Sequence, residues 1–341
     1  MAHFFAEYGL FLLKTITLVV AILVCVLTSV AAATRTRRQE QKGALTIDSL
    51  NNCYEELQEV MNDQIMDKAA LKQQRKLKKE EEKREKKSKP KIEETTTTKK
   101  RIFVIDFNGD MKASRNASLA QEITAILSVA QTTDEILVRL ESAGGLVHAY
   151  GLAASQLERI VKKNIPLTVA VDKVAASGGY MMACIANRII AAPFAILGSI
   201  GVVAQIPNIH RLLKKYDVDV DVLTAGEYKR TLTIFGENTE KGRQKFMEEL
   251  EQTHVLFKNF VSERRPQVDI AQVATGEHWY AIQAQKFQLV DEIMTSDEYL
   301  TTQSADADIY SVRYEVRKTL KDKLVNGTAQ LFEQLTRVMP G

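Results

Sequence analysis

The chain has 341 residues, of which 45% are apolar, so it is long enough for one or two globular domains with an ordinary core. Its 46 Lys and Arg against 43 Asp and Glu give a net charge of +3, yet residues 68–91 alone hold twelve Lys/Arg and four Glu. A protein that is basic throughout is therefore excluded. The 3 cysteines and 5 histidines follow no zinc, disulfide or HExxH spacing, so we expect no metal and no cofactor.

An apolar stretch without charge lies near the N-terminus, over residues 15–34. As a helix it would span ~30 Å, the hydrocarbon thickness of a bilayer. Residues 10–13 extend it upstream, and the positive charges follow it, at Arg35, Arg37 and Arg38. This order favours an uncleaved single-pass anchor over residues 10–34, with a cleaved signal peptide and a buried soluble helix as alternatives. The positive-inside rule places the following chain in the cytoplasm.

Residues 35–100 are dense in Lys and Glu, with few apolar residues after position 66. Such a segment buries too little surface to fold alone, so we predict a charged tether that is partly helical or disordered. Contact with anionic lipid headgroups is an alternative interpretation. Nucleic-acid binding is not expected, because no aromatic residues alternate with the basic ones.

From residue 101 onward, apolar runs of strand length alternate with segments of helical spacing. Strands are predicted over 102–107, 135–140, 167–171, 188–192 and 218–223, and helices over 119–130, 147–163, 177–187 and 241–265. This alternation is typical of an α/β domain, here residues 101–300, with a parallel sheet and crossover helices. Residues 301–341 are predicted to hold a strand and an amphipathic helix over 318–338, which belongs either to the core or to an assembly contact.

Two glycine pairs follow predicted strands, where parallel sheets place their chemistry. In one, Ser177 stands before Gly178 at a strand-to-helix turn, which can expose a nucleophilic hydroxyl beside helix N–H groups. In the other, Gly144 is free of a side chain and can donate its N–H to an oxyanion. The alternatives are an N-cap serine and a simple turn.

Two further motifs carry residues suited to a serine nucleophile. Lys229, in the run Gly-Glu-Tyr-Lys-Arg, is a general base only if its amine is neutral, which requires burial or neighbouring positive charge. Ser199, in the run Gly-Ser-Ile-Gly, has a hydroxyl that can orient such an amine. A solvated surface lysine and an ordinary turn serine are the alternatives.

Taken in chain order, these motifs resemble the SppA/SohB group of signal-peptide peptidases from residue 103 to about residue 293. The segments that carry the resemblance are LESAGG, AASGGYMMACIANRIIAAP, LGSIGVV, GEYK and GEHWYAIQAQKFQLVDEI. One anchor, a charged segment and a single half-size catalytic domain are most similar to the SohB branch. Ala143 stands where the family usually has proline. The resemblance implies a ClpP/crotonase-like fold.

The resemblance also implies a mechanism. Ser177 would attack a peptide carbonyl while Lys229 takes its proton, Ser199 would orient the lysine, and the N–H groups of Gly144 and Gly178 would hold the oxyanion. The implied function is a membrane-anchored serine endopeptidase acting on unfolded or apolar peptides, including signal-peptide remnants. A crotonase-type acyl-CoA enzyme and a catalytically silent membrane scaffold are the alternatives.

Relatives of this kind form dome- or ring-like oligomers in which serine and lysine can come from neighbouring chains. The resemblance therefore implies a homo-oligomer, with peptide or unfolded protein and the lipid bilayer as its other partners. It also implies a bacterial inner membrane, with the catalytic body on its outer side, whereas the positive charges favour the cytoplasmic side.

Overall fold

Among the residues that the structure describes, ten strands form one sheet, and most of their pairings are parallel. The structure is a computed structural model that describes residues 9–18, 43–67, 76, 80 and 99–315. Residues 45–314 make up one compact unit. In the other unit, residues 1–44 with 315–341, residues 9–18 are helical.

Strands and helices follow one another along the compact unit. The strands are β1 (Ala44–Ser49), β2 (Lys100–Gly109), β3 (Glu135–Ser142), β4 (Leu167–Val171), β5 (Val174–Ala176), β6 (Arg188–Ala191), β7 (Ile196–Gly198), β8 (His278–Tyr280), β9 (Glu292–Ile293) and β10 (Ala307–Glu315). The helices are α1 (Leu50–Ile65), α2 (Asn116–Leu127), α3 (Val147–Val161), α4 (Gly178–Ala183), α5 (His210–Lys215), α6 (Glu240–Arg264), α7 (Ile270–Val273), α8 (Ala281–Lys286) and α9 (Ser296–Gln303).

The main path of the sheet runs β1-β10-β2-β3-β4-β6-β9. Its central strands are buried on both faces, which is why their sequences read as continuous apolar runs rather than as an alternation. Along β2, Phe103 and Ile105 join the core cluster on one face, while Ile102 and Val104 join the cluster on the other. The predicted α/β architecture with a parallel sheet is confirmed.

A short branch leaves this path at the carboxyl end of β3, where Ser142 pairs with Ala175 of β5. β5 pairs in parallel with β7, and β7 pairs in antiparallel with β8. The branch matters for function because residues 177 and 199 directly follow β5 and β7. Ala176 lies opposite Gly198 in the pairing, so the two residues that follow them leave the sheet side by side.

Helices cover the two faces of the sheet differently. Residues of α2, α3, α4 and α6 fill the larger core cluster. The smaller cluster is built on α9, and Leu50 and Tyr54 at the start of α1 pack against it. The region predicted as tether, residues 35–100, thus contains a strand and a helix over 44–65, and the compact unit begins before the predicted boundary at 101.

The predicted strand over residues 218–223 is wrong. These six residues form no strand, and each of them is exposed. Their Val–Asp alternation is typical of a strand with one buried face, but such a strand forms only where a neighbouring strand pairs with it. The described part of the chain offers it no such neighbour.

Among the described residues, no helix is long and apolar enough to cross a membrane. The predicted anchor over 10–34 and the predicted amphipathic helix over 318–338 lie outside the described residues, apart from positions 10–18.

Candidate active site

Ser177 occupies the turn between β5 and α4 in a backbone conformation that L-residues seldom adopt, with φ 51° and ψ −117°. Its N–H donates to the Gly198 carbonyl at 2.8 Å, which pins the turn to the end of β7. Its side chain makes no capping hydrogen bond to the helix, so the N-cap alternative does not apply. A strained serine turn of this kind costs about 1–3 kcal/mol and is typical of a functional site.

Both predicted glycines lie against this turn. A Cβ on Gly144, whose φ is +90°, would stand 2.7 Å from the Gly178 nitrogen and 2.8 Å from the Ser177 Cβ. Only glycine permits this approach. The structure therefore brings residues 144, 177 and 178 together.

The backbone donors around Ser177 are not equivalent. The Gly144 N–H donates to Ser142 Oγ at 3.1 Å. Among the described residues, no acceptor takes the N–H of Gly178 or that of Gly145. Gly178 stays a candidate oxyanion donor, whereas the N–H of Gly144, the other predicted donor, already has Ser142 Oγ as its acceptor. Gly145 is an additional candidate, and the second glycine of the Gly-Gly pair was the sequence signal for it.

Ser199 follows β7 beside Ser177, also with a positive φ, 53°. Its N–H donates to the Glu277 carbonyl at 2.6 Å. The glycine before it is required, because a Cβ on Gly198 would stand 2.7 Å from the Trp279 ring. From α6, His254 Nε2 lies 3.3 Å from the Ile200 carbonyl oxygen, so the long helix contacts this loop.

Lys229 lies on an exposed loop. Its neighbours attach that loop to the start of α6, since Glu227 pairs with Lys241 at 2.5 Å and the Tyr228 ring faces Lys245. No hydrogen bond or ion pair joins the Lys229 amine to any described residue, Ser177 and Ser199 included. The single chain therefore assembles residues 144, 177, 178 and 199, and its described contacts do not include Lys229 among them.

The segment that carries Lys229 is unusually exposed. No residue over 203–230 is buried, although the segment is rich in large apolar side chains. The exposed fraction reaches 93% at Leu223 and 83% at Val203. Exposed apolar surface of this kind is typical of regions that contact another molecule.

Other chemistry is not supported by the described residues. They contain no cluster of His, Cys, Asp or Glu able to hold a metal ion. Cys184 lies just after α4, but it is fully buried, and burial raises the pKa of its thiol to about 12. This thiol stays protonated and inert, which leaves Ser177 as the candidate nucleophile at this turn.

Two buried hydroxyls beneath the turn were missed by the reasoning from sequence. Ser142 Oγ and Tyr150 Oη lie 2.5 Å apart. Serine at the end of a strand and tyrosine within an amphipathic helix gave no signal, because only the folded chain brings them together.

A serine on a strained strand-to-helix turn, next to N–H groups without acceptors, is suited to acyl transfer. Comparison with known proteins agrees. The family described as Peptidase family S49 N-terminal matches residues 3–157, and Peptidase family S49 matches residues 159–310. The chain belongs to peptidase family S49 and is a peptidase of that family.

The curated relatives support the branch as well. Probable protease SohB of Haemophilus influenzae is 51% identical, over 93% of this chain and 90% of the relative. Probable protease SohB of Buchnera aphidicola subsp. Schlechtendalia chinensis is 47% identical, over 87% of this chain and 98% of the relative. The predicted membership of the SppA/SohB group, with greatest similarity to the SohB branch, is confirmed.

Among solved structures, a mutant of the 1510-N membrane-bound stomatin-specific protease in complex with a substrate peptide is similar at a TM-score of 0.42. It is 14% identical and covers 68% of this chain and 99% of that chain.

Proposed function

We propose that this peptidase is a membrane-anchored serine endopeptidase in which Ser177 is the nucleophile and Lys229 the general base. The observation that carries the proposal is the Ser177 turn, whose φ of 51° is held beside Gly178 and Gly144. Strain of this kind persists only where the surrounding structure enforces it.

The proposed reaction is acyl transfer in two steps. Ser177 Oγ attacks the peptide carbonyl carbon and its proton passes to the Lys229 amine, while nearby backbone N–H groups stabilise the oxyanion. Protonated Lys229 then gives its proton to the leaving amine as the acyl-enzyme forms. Water, deprotonated by the lysine, releases the acyl group and restores Ser177. Ser199 orients the neutral amine.

Lys229 is proposed to complete the site of a second copy of the chain. A lysine acts as a base only when its amine is neutral, which requires removal from water. In the single chain this residue is exposed, and so are the apolar residues around it. Packing of residues 203–235 against a second copy would desolvate the amine, so a homo-oligomer is the proposed active form.

The anchor over residues 10–34 and the substrate class are also proposals. An uncharged stretch of this length supports single-pass insertion in a bilayer, and the bacterial relatives make an inner membrane the proposed one. A catalytic body tethered to a bilayer meets unfolded or apolar peptides, including remnants of signal peptides. A reporter fused after residue 341 distinguishes a cytoplasmic from an external body.

The test is hydrolysis of an unfolded apolar peptide by the full chain in detergent. Ser177→Ala and Lys229→Ala should each lose about a thousandfold or more in kcat. Lys163→Ala, at an exposed lysine outside residues 203–235, should keep wild-type activity. Full activity in both dyad variants would contradict the proposal and favour a scaffold or a different site.

A further result is expected from the same assay. Ser199→Ala should lower kcat by about tenfold without abolishing it, and unchanged turnover would remove Ser199 from the mechanism.

A further inference from the structure

The two buried hydroxyls beneath the Ser177 turn have no part in the proposed mechanism. Tyr150 Oη donates to the Asp110 carbonyl at 2.7 Å and lies 2.5 Å from Ser142 Oγ. A hydroxyl has one proton, so Tyr150, having given its own to Asp110, accepts that of Ser142. The Gly109 carbonyl, at 3.3 Å from Ser142 Oγ, is a longer second contact.

These hydroxyls belong to a series of hydrogen bonds that begins at the backbone N–H of Gly144. The Gly144 N–H donates to Ser142 Oγ at 3.1 Å, so the donors run in one direction from Gly144 through Ser142 and Tyr150 to Asp110. Aligned hydrogen bonds polarise one another, and burial shields them from water. Ser142 and Tyr150 are both buried. The Gly144 peptide is thereby fixed in one orientation.

Tyr150 also contacts the other side of the site. A Cβ on Gly178 would overlap the Tyr150 ring and stand 2.8 Å from its Cδ2. The tyrosine thus touches Gly178 with its ring and reaches Gly144 through its hydroxyl. One side chain therefore sets the spacing between the two backbone segments that flank Ser177.

The surrounding backbone is shaped to admit this pair. A Cβ on Gly109 would stand 2.6 Å from Tyr150 Oη and 2.8 Å from Ser142 Oγ. Burial raises the pKa of the Tyr150 hydroxyl above its ordinary value, which keeps it protonated as a donor.

We propose that Ser142 and Tyr150 are positioning residues that hold the Gly144–Gly145 turn at a set distance from Gly178, so that the oxyanion donors keep their geometry. The proposal deepens the proposed function and rests on it. Neither hydroxyl touches the substrate. Both act through backbone N–H groups.

Tyr150→Phe is the sharpest variant, because it keeps the ring against Gly178 and removes only the hydroxyl. We expect kcat to fall by about tenfold with KM unchanged, since oxyanion contacts form only in the transition state. Tyr299→Phe is the matched control: its hydroxyl is also buried and donates to Glu135 at 2.6 Å, at the opposite end of β3. It should leave kcat unchanged.

A ligand pair separates positioning from loss of structure. A peptide aldehyde bonds to Ser177 Oγ through its carbonyl carbon and places its oxygen in the oxyanion position, whereas the matching peptide alcohol does not. Tyr150→Phe and Ser142→Ala should each weaken the aldehyde by about tenfold and leave the alcohol unaffected. The double variant should lose no more than the larger single loss, because the two hydroxyls form one chain.

Three outcomes would overturn the proposal: kcat and aldehyde affinity within twofold of wild type, equal losses for aldehyde and alcohol, or the same loss in Tyr299→Phe. A wild type that hydrolyses no peptide would instead overturn the proposed function. Hydrogen exchange at the Gly144 amide tests the series of hydrogen bonds even if the protein hydrolyses no peptide. Exchange should be faster in both variants than in wild type, and unchanged exchange would contradict the positioning role.

Discussion

At the scale of the residue, the strained turn at Ser177 is held by close contacts with Gly144 and Gly198. The order of small residues around Ser177 predicts a strand-to-helix turn, because few other sequences permit one. Gly145 and Tyr150 could not be assigned roles in this way. Their importance comes from contacts between segments that are separate in sequence, such as Tyr150 with Ser142 and Gly178.

The strain at Ser177 leads to a prediction about stability. With φ at 51° and ψ at −117°, the position suits glycine better than any L-residue. Ser177→Gly should therefore be about 1 kcal/mol more stable than Ser177→Ala, although both are inactive. Urea unfolding of the two variants measures the difference. Equal stability, or a less stable glycine variant, would show that the turn is not strained.

At the scale of the element, continuous apolar runs predicted strands correctly, whereas an alternating run did not. β2, β3 and β4 lie in the middle of the sheet, and their sequences predict them because both faces are buried. Residues 218–223 alternate Val and Asp, but they form no strand because no described strand pairs with them. Conversely, α1 was assigned to a tether because residues 35–100 are dense in Lys and Glu, and the structure shows a helix there with no buried residue.

The pairing of β2 with β3 depends on a charged anchor at its start. Asp134 is buried and accepts hydrogen bonds from the Arg101 guanidinium at 2.6 Å and from the Gln131 N–H at 2.7 Å. Burial alone would raise the pKa of Asp134, but these hydrogen bonds outweigh it and lower the pKa below its usual range. A lowered carboxyl pKa stabilises the fold above the unfolded value, and this stability is lost as the pH falls through the folded value.

Asp134→Asn should therefore cost about 3 kcal/mol at pH 7. The difference from wild type should begin to shrink below about pH 4, where the carboxyl of the unfolded chain becomes protonated, and should shrink further as the pH falls through the lower folded value. Urea unfolding at the two pH values measures this, with the exposed Asp306→Asn as the control. A loss of stability that does not depend on pH would contradict the role assigned to the charge.

At the scale of the whole molecule, the exposed apolar surface is the feature that remains unexplained by one chain. Residues 203–230 contain no buried side chain, and they include the predicted base. The motif GEYK predicts Lys229 from the sequence, but nothing in a single sequence shows whether its amine is desolvated in the same chain or in a second copy.

The proposed assembly predicts different effects at two exposed leucines. Leu223→Glu should give a monomer with little activity, because burying a charge at an interface is unfavourable. Leu57→Glu, on α1, should leave size and activity unchanged, although Leu57 is also exposed, at 61%. Analytical ultracentrifugation in detergent, paired with the peptide assay, measures both. An active monomer of Leu223→Glu would contradict the shared site.

Covalent labelling tests the central claim most directly. A fluorophosphonate that reacts with activated serines should form one adduct on the wild-type chain, and mass spectrometry of its peptides should locate the adduct at Ser177. Labelling should disappear in Ser177→Ala and slow by about a hundredfold or more in Lys229→Ala. An adduct on another residue, or labelling at the wild-type rate without Lys229, would contradict the account.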